Sequence, residues 1–133
     1  MGWAPLLEVP LPVGRRLDIL ALEPDGAFTA IEVKSCARDF LSDNKWQEYL
    51  DWCDRLFFAV DLDFPQALLP EDAGLIVAED GEAAILRYPA ERKLPPARRK
   101  ALLLRYARLS AGRLQAMLDP SGAAELRAAL KVE

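Results

Sequence analysis

The sequence predicts an α/β fold: a mixed β-sheet core flanked by helices, with a helical C-terminus. Three observations carry that prediction. Two strand-like runs meet around a Pro-Gly turn near residue 25, which reads as a hairpin. Two uninterrupted apolar runs, 56–60 and 74–78, have the character of strands buried on both faces. After Pro95-Pro96 the apolar residues fall at helical spacing almost to the end of the chain.

Each element follows from local chemistry. Leu6-Leu7-Glu8-Val9 is a short strand stopped by Pro10 and Pro12, because proline cannot donate to a sheet ladder. Val13-Gly14-Arg15 is a turn, and Arg16 to Leu22 is a strand. Glu23-Pro24-Asp25-Gly26 places proline and glycine where a β-turn wants them, and Ala27 to Lys34 returns as the second arm of the hairpin. Asp39 to Cys53 is helical, with Phe40, Trp46, Leu50 and Cys53 at near-helical spacing and a break near 42–44. Arg55 to Val60 is a buried strand, and Phe64 to Leu69 a short helical turn closed by Pro70. Gly74 to Ala78 and Ala83 to Arg87 are strands around the Gly81 turn. A long helix runs from about residue 97 to 118, opened by proline in its first turn, and a last helix covers about 123–130.

At 133 residues the chain fits one domain spanning 1–133, since domains cluster at roughly 100–150 residues. No stretch approaches the ~20 apolar residues of a membrane span, and the first residues carry no basic region followed by an apolar core. A cytoplasmic protein with no membrane partner is the expectation. Composition also restricts the chemistry. The chain has no histidine, which removes Ser-His-Asp and Cys-His catalysis. Its two cysteines, Cys36 and Cys53, are too few for the usual zinc sites. An enzyme built from this chain must use carboxylates, lysine, tyrosine, or a metal held by oxygen.

Charge is uneven. The net charge is −4, yet from Arg87 to Arg113 there are nine basic residues and one acid, Glu91. That segment carries +8 and the remainder −12. Arg98, Arg99, Lys100 and Arg105 stand within it as candidate DNA-binding residues. A solvated helix face explains the same run equally well.

The hairpin holds the candidate chemistry. Centring its turn on Asp25 pairs residues whose numbers sum to about 50, which sets Asp18 opposite Glu32. Side chains two apart on a strand share a face, so Lys34 joins them. Two opposed carboxylates repel, and apolar neighbours (Leu17, Ile19, Leu20, Ile31, Val33) sharpen the conflict. A divalent cation resolves it. Mg²⁺ takes oxygen ligands and is often held by one or two carboxylates plus water, and the Val33 carbonyl is a further candidate ligand. Lys34 is then placed to orient or help deprotonate water and to stabilise charge developing on a phosphate. A salt-bridged hairpin face is the plainer explanation of the same three residues.

The residues Leu17-Asp18-Ile19-Leu20 and Ile31-Glu32-Val33-Lys34-Ser35 resemble the signature of the PD-(D/E)xK nuclease superfamily. Gly14-Arg15-Arg16-Leu17-Asp18, Glu32-Val33-Lys34-Ser35, Asp39-Phe40, Asp43-x-Lys45-Trp46-x-x-Tyr49-Leu50 and Cys53-Asp54-Arg55-Leu56-Phe57-Phe58-Ala59-Val60 resemble the MmcB-type family of bacterial DNA-repair proteins. The likeness runs from about Glu8 to Arg98-Arg99-Lys100. It implies a restriction-endonuclease-like core, DNA as substrate, and Mg²⁺ (or Mn²⁺) as cofactor. Asp18 and Glu32 become metal ligands and Lys34 the catalytic lysine. Lys45 and Tyr49, four apart on a helix, become further catalytic candidates facing the site. Trp46 and Tyr49 also suit a core, and Asp39 and Asp43 also suit a helix's first turn. Leu17 stands where the superfamily signature has proline. Related folds usually begin with a helix that contributes a further acid, whereas this sequence starts almost at a strand; Glu8 is a candidate substitute, and a homodimer a candidate cover for the exposed face. Two functions remain open: a metal-dependent deoxyribonuclease in DNA repair, and an inactive nuclease-like module that binds DNA or a repair partner.

Overall fold

A computed structural model describes residues 2–130; Met1 and residues 131–133 of the anticipated 1–133 domain lie outside that description. The described residues group into two compact units, one reaching to Pro95 and one beginning at Pro96, and each is described by itself.

The first unit is built on six strands: β1 (Ala4–Pro10), β2 (Arg16–Leu22), β3 (Phe28–Val33), β4 (Arg55–Val60), β5 (Gly74–Glu79) and β6 (Glu82–Arg87). Their order in the sheet is their order in the chain. β1, β2 and β3 pair antiparallel, β3, β4 and β5 pair parallel, and β6 returns antiparallel. The sheet is therefore mixed, as the sequence predicts. Between β3 and β4 lie a short helix, α1 (Ala37–Ser42), and a 3₁₀ helix, Trp46–Trp52. The break foreseen near 42–44 is real, but the second segment winds more tightly than an α-helix.

The β2–β3 turn fixes everything downstream. Gly26 takes φ of 90°, which a residue with Cβ rarely adopts, and its N–H donates to the Glu23 carbonyl. Asp25 Oδ1 accepts from the Ala27 N–H. The register that follows is Ile19 with Ile31, Leu20 with Ala30 and Leu22 with Phe28. This is the sum-of-fifty register expected from the turn.

Packing places a helical layer over one face. In the parallel β3–β4 ladder Glu32 is in register with Phe58, so their side chains leave the same face. Phe58 receives Phe40 from α1 and Trp46 from the 3₁₀ helix, both edge-on, at ring centroids of 5.4 and 5.5 Å. The segment between β3 and β4 thus covers the face that carries Asp18, Glu32 and Lys34. On the opposite face Phe57 lies against Trp3 and Tyr88. Gly74 pairs with Phe57, and a Cβ there would come within 2.3 Å of its ring, so only glycine allows this approach.

Two polar clusters close the sheet at the end away from Lys34. Asp54, almost fully buried at the start of β4, accepts from the N–H groups of Phe28 and Leu94 at 2.7 and 2.9 Å. Its own backbone bonds Phe28 and Arg92. Glu23 receives Arg55 Nη1 on both carboxylate oxygens, and also the Thr29 hydroxyl.

The second unit is two helices, α2 (Pro96–Leu118) and α3 (Pro120–Leu130), packed on each other. Pro120 stops the first and opens the second at its first position, as proline does. No helix among the described residues is long and apolar enough to cross a membrane.

Candidate functional site

The β2–β3 ladder runs out at Ile19 and Ile31, and the next backbone N–H groups need other partners. The opposing carboxylates supply them. Glu32 Oε1 accepts from the Asp18 N–H at 2.9 Å, and Asp18 Oδ2 accepts from the Val33 N–H at 2.8 Å. Each acid is thus braced across the hairpin by one oxygen. Among the described residues no hydrogen bond reaches Asp18 Oδ1 or Glu32 Oε2. The Lys34 N–H donates to the Ala59 carbonyl on the β4 side. Strand alternation then turns the N–H and C=O of Val33 toward β2, where Asp18 lies. Two free carboxylate oxygens and one carbonyl therefore face the same ladder end.

Chemically this donor set suits a hard cation. Three oxygens from two carboxylates and a carbonyl leave half of an octahedral shell to water, which suits Mg²⁺. Among the described residues no three carboxylate, thiol or imidazole groups stand together so as to hold a metal ion by themselves. The position also fits the fold. Glu32 and Val33 stand at the carboxyl end of β3, a strand paired in parallel with β4, and ligands of α/β sheets gather at such ends.

Burial makes the pair uncomfortable without a cation. Glu32 is only 4 % exposed. That burial, with the neighbouring Asp18 and Asp43 charges, pushes its carboxyl up to about 7, against opposition from the Asp18 N–H and Lys34. A folded-state value above the ordinary 4.5 means the folded chain holds the proton more tightly than the unfolded chain. The stability it confers is full below about pH 4.5 and is lost as pH rises through 7, about 3 kcal/mol in all. In chelator, Glu32→Gln is expected to match wild type near pH 4.5 and to exceed it by about 1–3 kcal/mol at pH 8. Urea unfolding at the two pH values checks this; a difference that does not change with pH contradicts it.

Lys34 closes the site from the other side. It is 6 % exposed, and its Nζ donates to Asp43 Oδ2 at 2.8 Å. Asp43 sits where α1 ends, its N–H bonding the Phe40 carbonyl. Its other oxygen, Oδ1, receives Arg15 Nη2 at 2.8 Å. Burial alone would raise the Asp43 carboxyl, but the bonds from Lys34 and Arg15 outweigh it and hold Asp43 below the usual carboxylate range. Arg15, from the β1–β2 turn, lies over the Tyr49 ring at 4.9 Å and also donates to the Tyr49 hydroxyl. That hydroxyl in turn meets the Arg16 carbonyl.

Structure and sequence therefore agree on part of the set. Asp18, Glu32, Val33 and Lys34 converge as the register implies. Tyr49 is buried and joins through Arg15, not through direct contact with the carboxylates. Lys45 does not join. It precedes a 3₁₀ helix with three residues per turn, so the four-residue spacing no longer puts it on the face of Tyr49, and its side chain is exposed. Asp43 is no first-turn acid; it follows α1 and bridges two cations. Asp39 does stand in a first turn, where it receives the Ser35 N–H and hydroxyl. Glu8 is exposed and faces Arg16 at 3.7 Å.

The basic candidates lie in the second unit, on α2. At 100° per residue Arg98 and Arg105 share a side, while Lys100 points nearly opposite. Arg98, Arg99 and Arg105 are half-buried and have partners of their own; Lys100 is exposed.

Comparison with known proteins follows this geometry. A family model described as "DNA repair protein MmcB-like" matches residues 1–121. A solved structure of a protein of unknown function from Silicibacter pomeroyi is 48 % identical, with a TM-score of 0.85 over 91 % of this chain and 83 % of that one. No curated protein matches.

Proposed function

The chain belongs to the MmcB-like family of DNA repair proteins, and from that premise we propose that it hydrolyses phosphodiester bonds in DNA with a divalent cation as cofactor. The single observation that carries this reading is the pair Asp18 and Glu32. Each is braced by one oxygen against the other strand and keeps its second oxygen without a hydrogen bond, and the Lys34 ammonium acts electrostatically on Glu32.

In this reading Asp18, Glu32 and the Val33 carbonyl hold Mg²⁺ or Mn²⁺, as in the PD-(D/E)xK nucleases the sequence resembles. A cation bound there supplies Lewis acidity toward a phosphoryl oxygen. The chain supplies the rest. The cross-strand bonds fix both carboxylates before substrate arrives, which reduces reorganisation during the reaction. Lys34 has donors beyond the one given to Asp43, and they meet the negative charge that grows on a phosphate oxygen. The wall of Phe58, Phe40 and Trp46 lowers the local dielectric, so those charges act more strongly than in water.

The test is cleavage of single-stranded, double-stranded and nicked DNA with Mg²⁺ or Mn²⁺ by the purified protein. Cleavage that stops in chelator and falls at least about 100-fold in Lys34→Ala, with the thermal transition preserved, supports the reading. No cleavage of any form with either metal ends it. A second reading, binding without cutting, draws on the basic run from Arg87 to Arg113. It expects affinity that falls steeply with salt and is unchanged in Lys34→Ala.

A further inference from the structure

We propose that Asp43 is a positioning residue for Lys34, and that Arg15, stacked on Tyr49, holds Asp43 in place; this deepens the nuclease reading and rests on it. The inference starts from what a buried lysine requires. The Lys34 ammonium is almost enclosed, and a buried cation without a counter-charge is costly. Among the described residues its one hydrogen-bond partner is Asp43 Oδ2. Its aim relative to Asp18 and Glu32 is therefore set by where Asp43 lies.

Asp43 cannot hold that place unaided. It stands in the short link between α1 and the 3₁₀ helix, where its N–H is held by the Phe40 carbonyl but its side chain depends on its own partners. Arg15 provides the restraint from the opposite side, on the second carboxylate oxygen. Arg15 is itself fixed three ways. Its Nη2 also donates to the Tyr49 hydroxyl at 3.1 Å, its plane lies over the Tyr49 ring, and its Nε is 3.7 Å from Glu48. Tyr49 is buried and anchored to the Arg16 carbonyl. The chain of contacts runs from the rigid β1–β2 turn to the Lys34 ammonium, with Asp43 as the joint. One carboxylate with a cation on each oxygen has little freedom to rotate, so Lys34 is pre-aimed.

The arrangement separates the roles of three acids on one face. Asp18 and Glu32 keep free oxygens for a cation, while Asp43 gives Oδ2 to Lys34 and Oδ1 to Arg15 and the Lys45 N–H. Asp43 touches neither metal ligand through any hydrogen bond. Its hydrogen bonds act on the reaction through Lys34, beside the charge it places near Glu32.

Two readouts test this on the full-length protein. Reductive methylation with formaldehyde and a hydride donor, followed by mass spectrometry, reports how firmly each lysine is held. In wild type Lys34 is expected to react far more slowly than the exposed Lys45. In Asp43→Ala the Lys34 rate is expected to rise at least about fivefold while Lys45 is unchanged, and Asp43→Glu is expected to restore protection. In the cleavage assay Asp43→Ala is expected to lower kcat by about 10- to 100-fold with KM for DNA within about threefold, the usual scale for a supporting contact. Arg15→Gln leaves Asp43 intact and is expected to give the same pattern with smaller changes; it serves if Asp43→Ala does not fold. Lys34 equally protected in folded Asp43→Ala and Arg15→Gln overturns the proposal, whatever the activity. Released Lys34 in a protein whose wild type cuts no DNA supports Asp43's hold on Lys34 and overturns the nuclease reading alone.

Discussion

Asp54→Ala is expected to lower folding stability by about 3–6 kcal/mol, measured by urea or thermal unfolding. The carboxylate accepts two buried N–H groups, from Phe28 at the start of β3 and from Leu94 in the segment after β6. Hydrogen bonds to a charged acceptor contribute roughly 1.5–3 kcal/mol each, and removal of the acceptor strands both donors. A domain of this size has only about 5–15 kcal/mol in total, so the variant is expected to be partly unfolded at 37 °C. Asp54→Asn keeps one acceptor oxygen and turns an amide N–H toward the other donor, so about half the loss is expected. Neither variant touches Asp18, Glu32 or Lys34, and the folded fraction should retain normal metal affinity. A loss below about 1 kcal/mol for Asp54→Ala would mean that water replaces the carboxylate at little cost.

Asp18→Ala is expected to remove nearly all metal-dependent cleavage. Transition-state stabilisation by a bound cation is worth several kcal/mol, and at about 1.4 kcal/mol per tenfold this corresponds to roughly 10²–10³ in rate. The variant also strands the Val33 N–H, so part of the effect arises from a loosened ladder end. Asp18→Asn separates the two contributions. Its Oδ1 still accepts from Val33, yet the site loses one negative charge. Asp18→Asn is expected to unfold near the wild-type temperature while binding Mn²⁺ at least tenfold more weakly by calorimetry. Equal Mn²⁺ affinity in wild type and Asp18→Asn would remove Asp18 from the metal site.

The hairpin was the most legible part of the molecule. Its turn residues and two-residue alternation are local, and local rules set the register that joins Asp18 to Glu32. The buried runs of β4 and β5 were legible for the same reason. Asp43 was not, because its place depends on α1 ending at Ser42 and the chain restarting as a 3₁₀ helix. Asp43 falls inside the break, where spacing sets no side-chain direction, and Lys45 was paired with Tyr49 because the segment after the break was read as α-helical rather than 3₁₀. Arg15 was visible only as part of a turn. A signal existed: a pair of arginines after a glycine, close in sequence to the acid of a suspected metal site. Asp54 gave a fainter one, an acid set directly before a strand that is apolar after its first residue, Arg55. The basic stretch on α2 shows the limit of counting charges, since helical geometry splits Arg98 and Arg105 from Lys100.

Because strand order in the sheet follows strand order in the chain, no strand must be inserted between two that are already joined. The sheet grows from one edge as the polypeptide lengthens, and each new pairing closes only a modest loop. The hairpin bearing both carboxylates can close once Val33 has left the ribosome, and Asp43 follows ten residues later, before β4 is made. The topology thus permits the end that bears Asp18, Glu32 and Asp43 to assemble vectorially, N-terminal first.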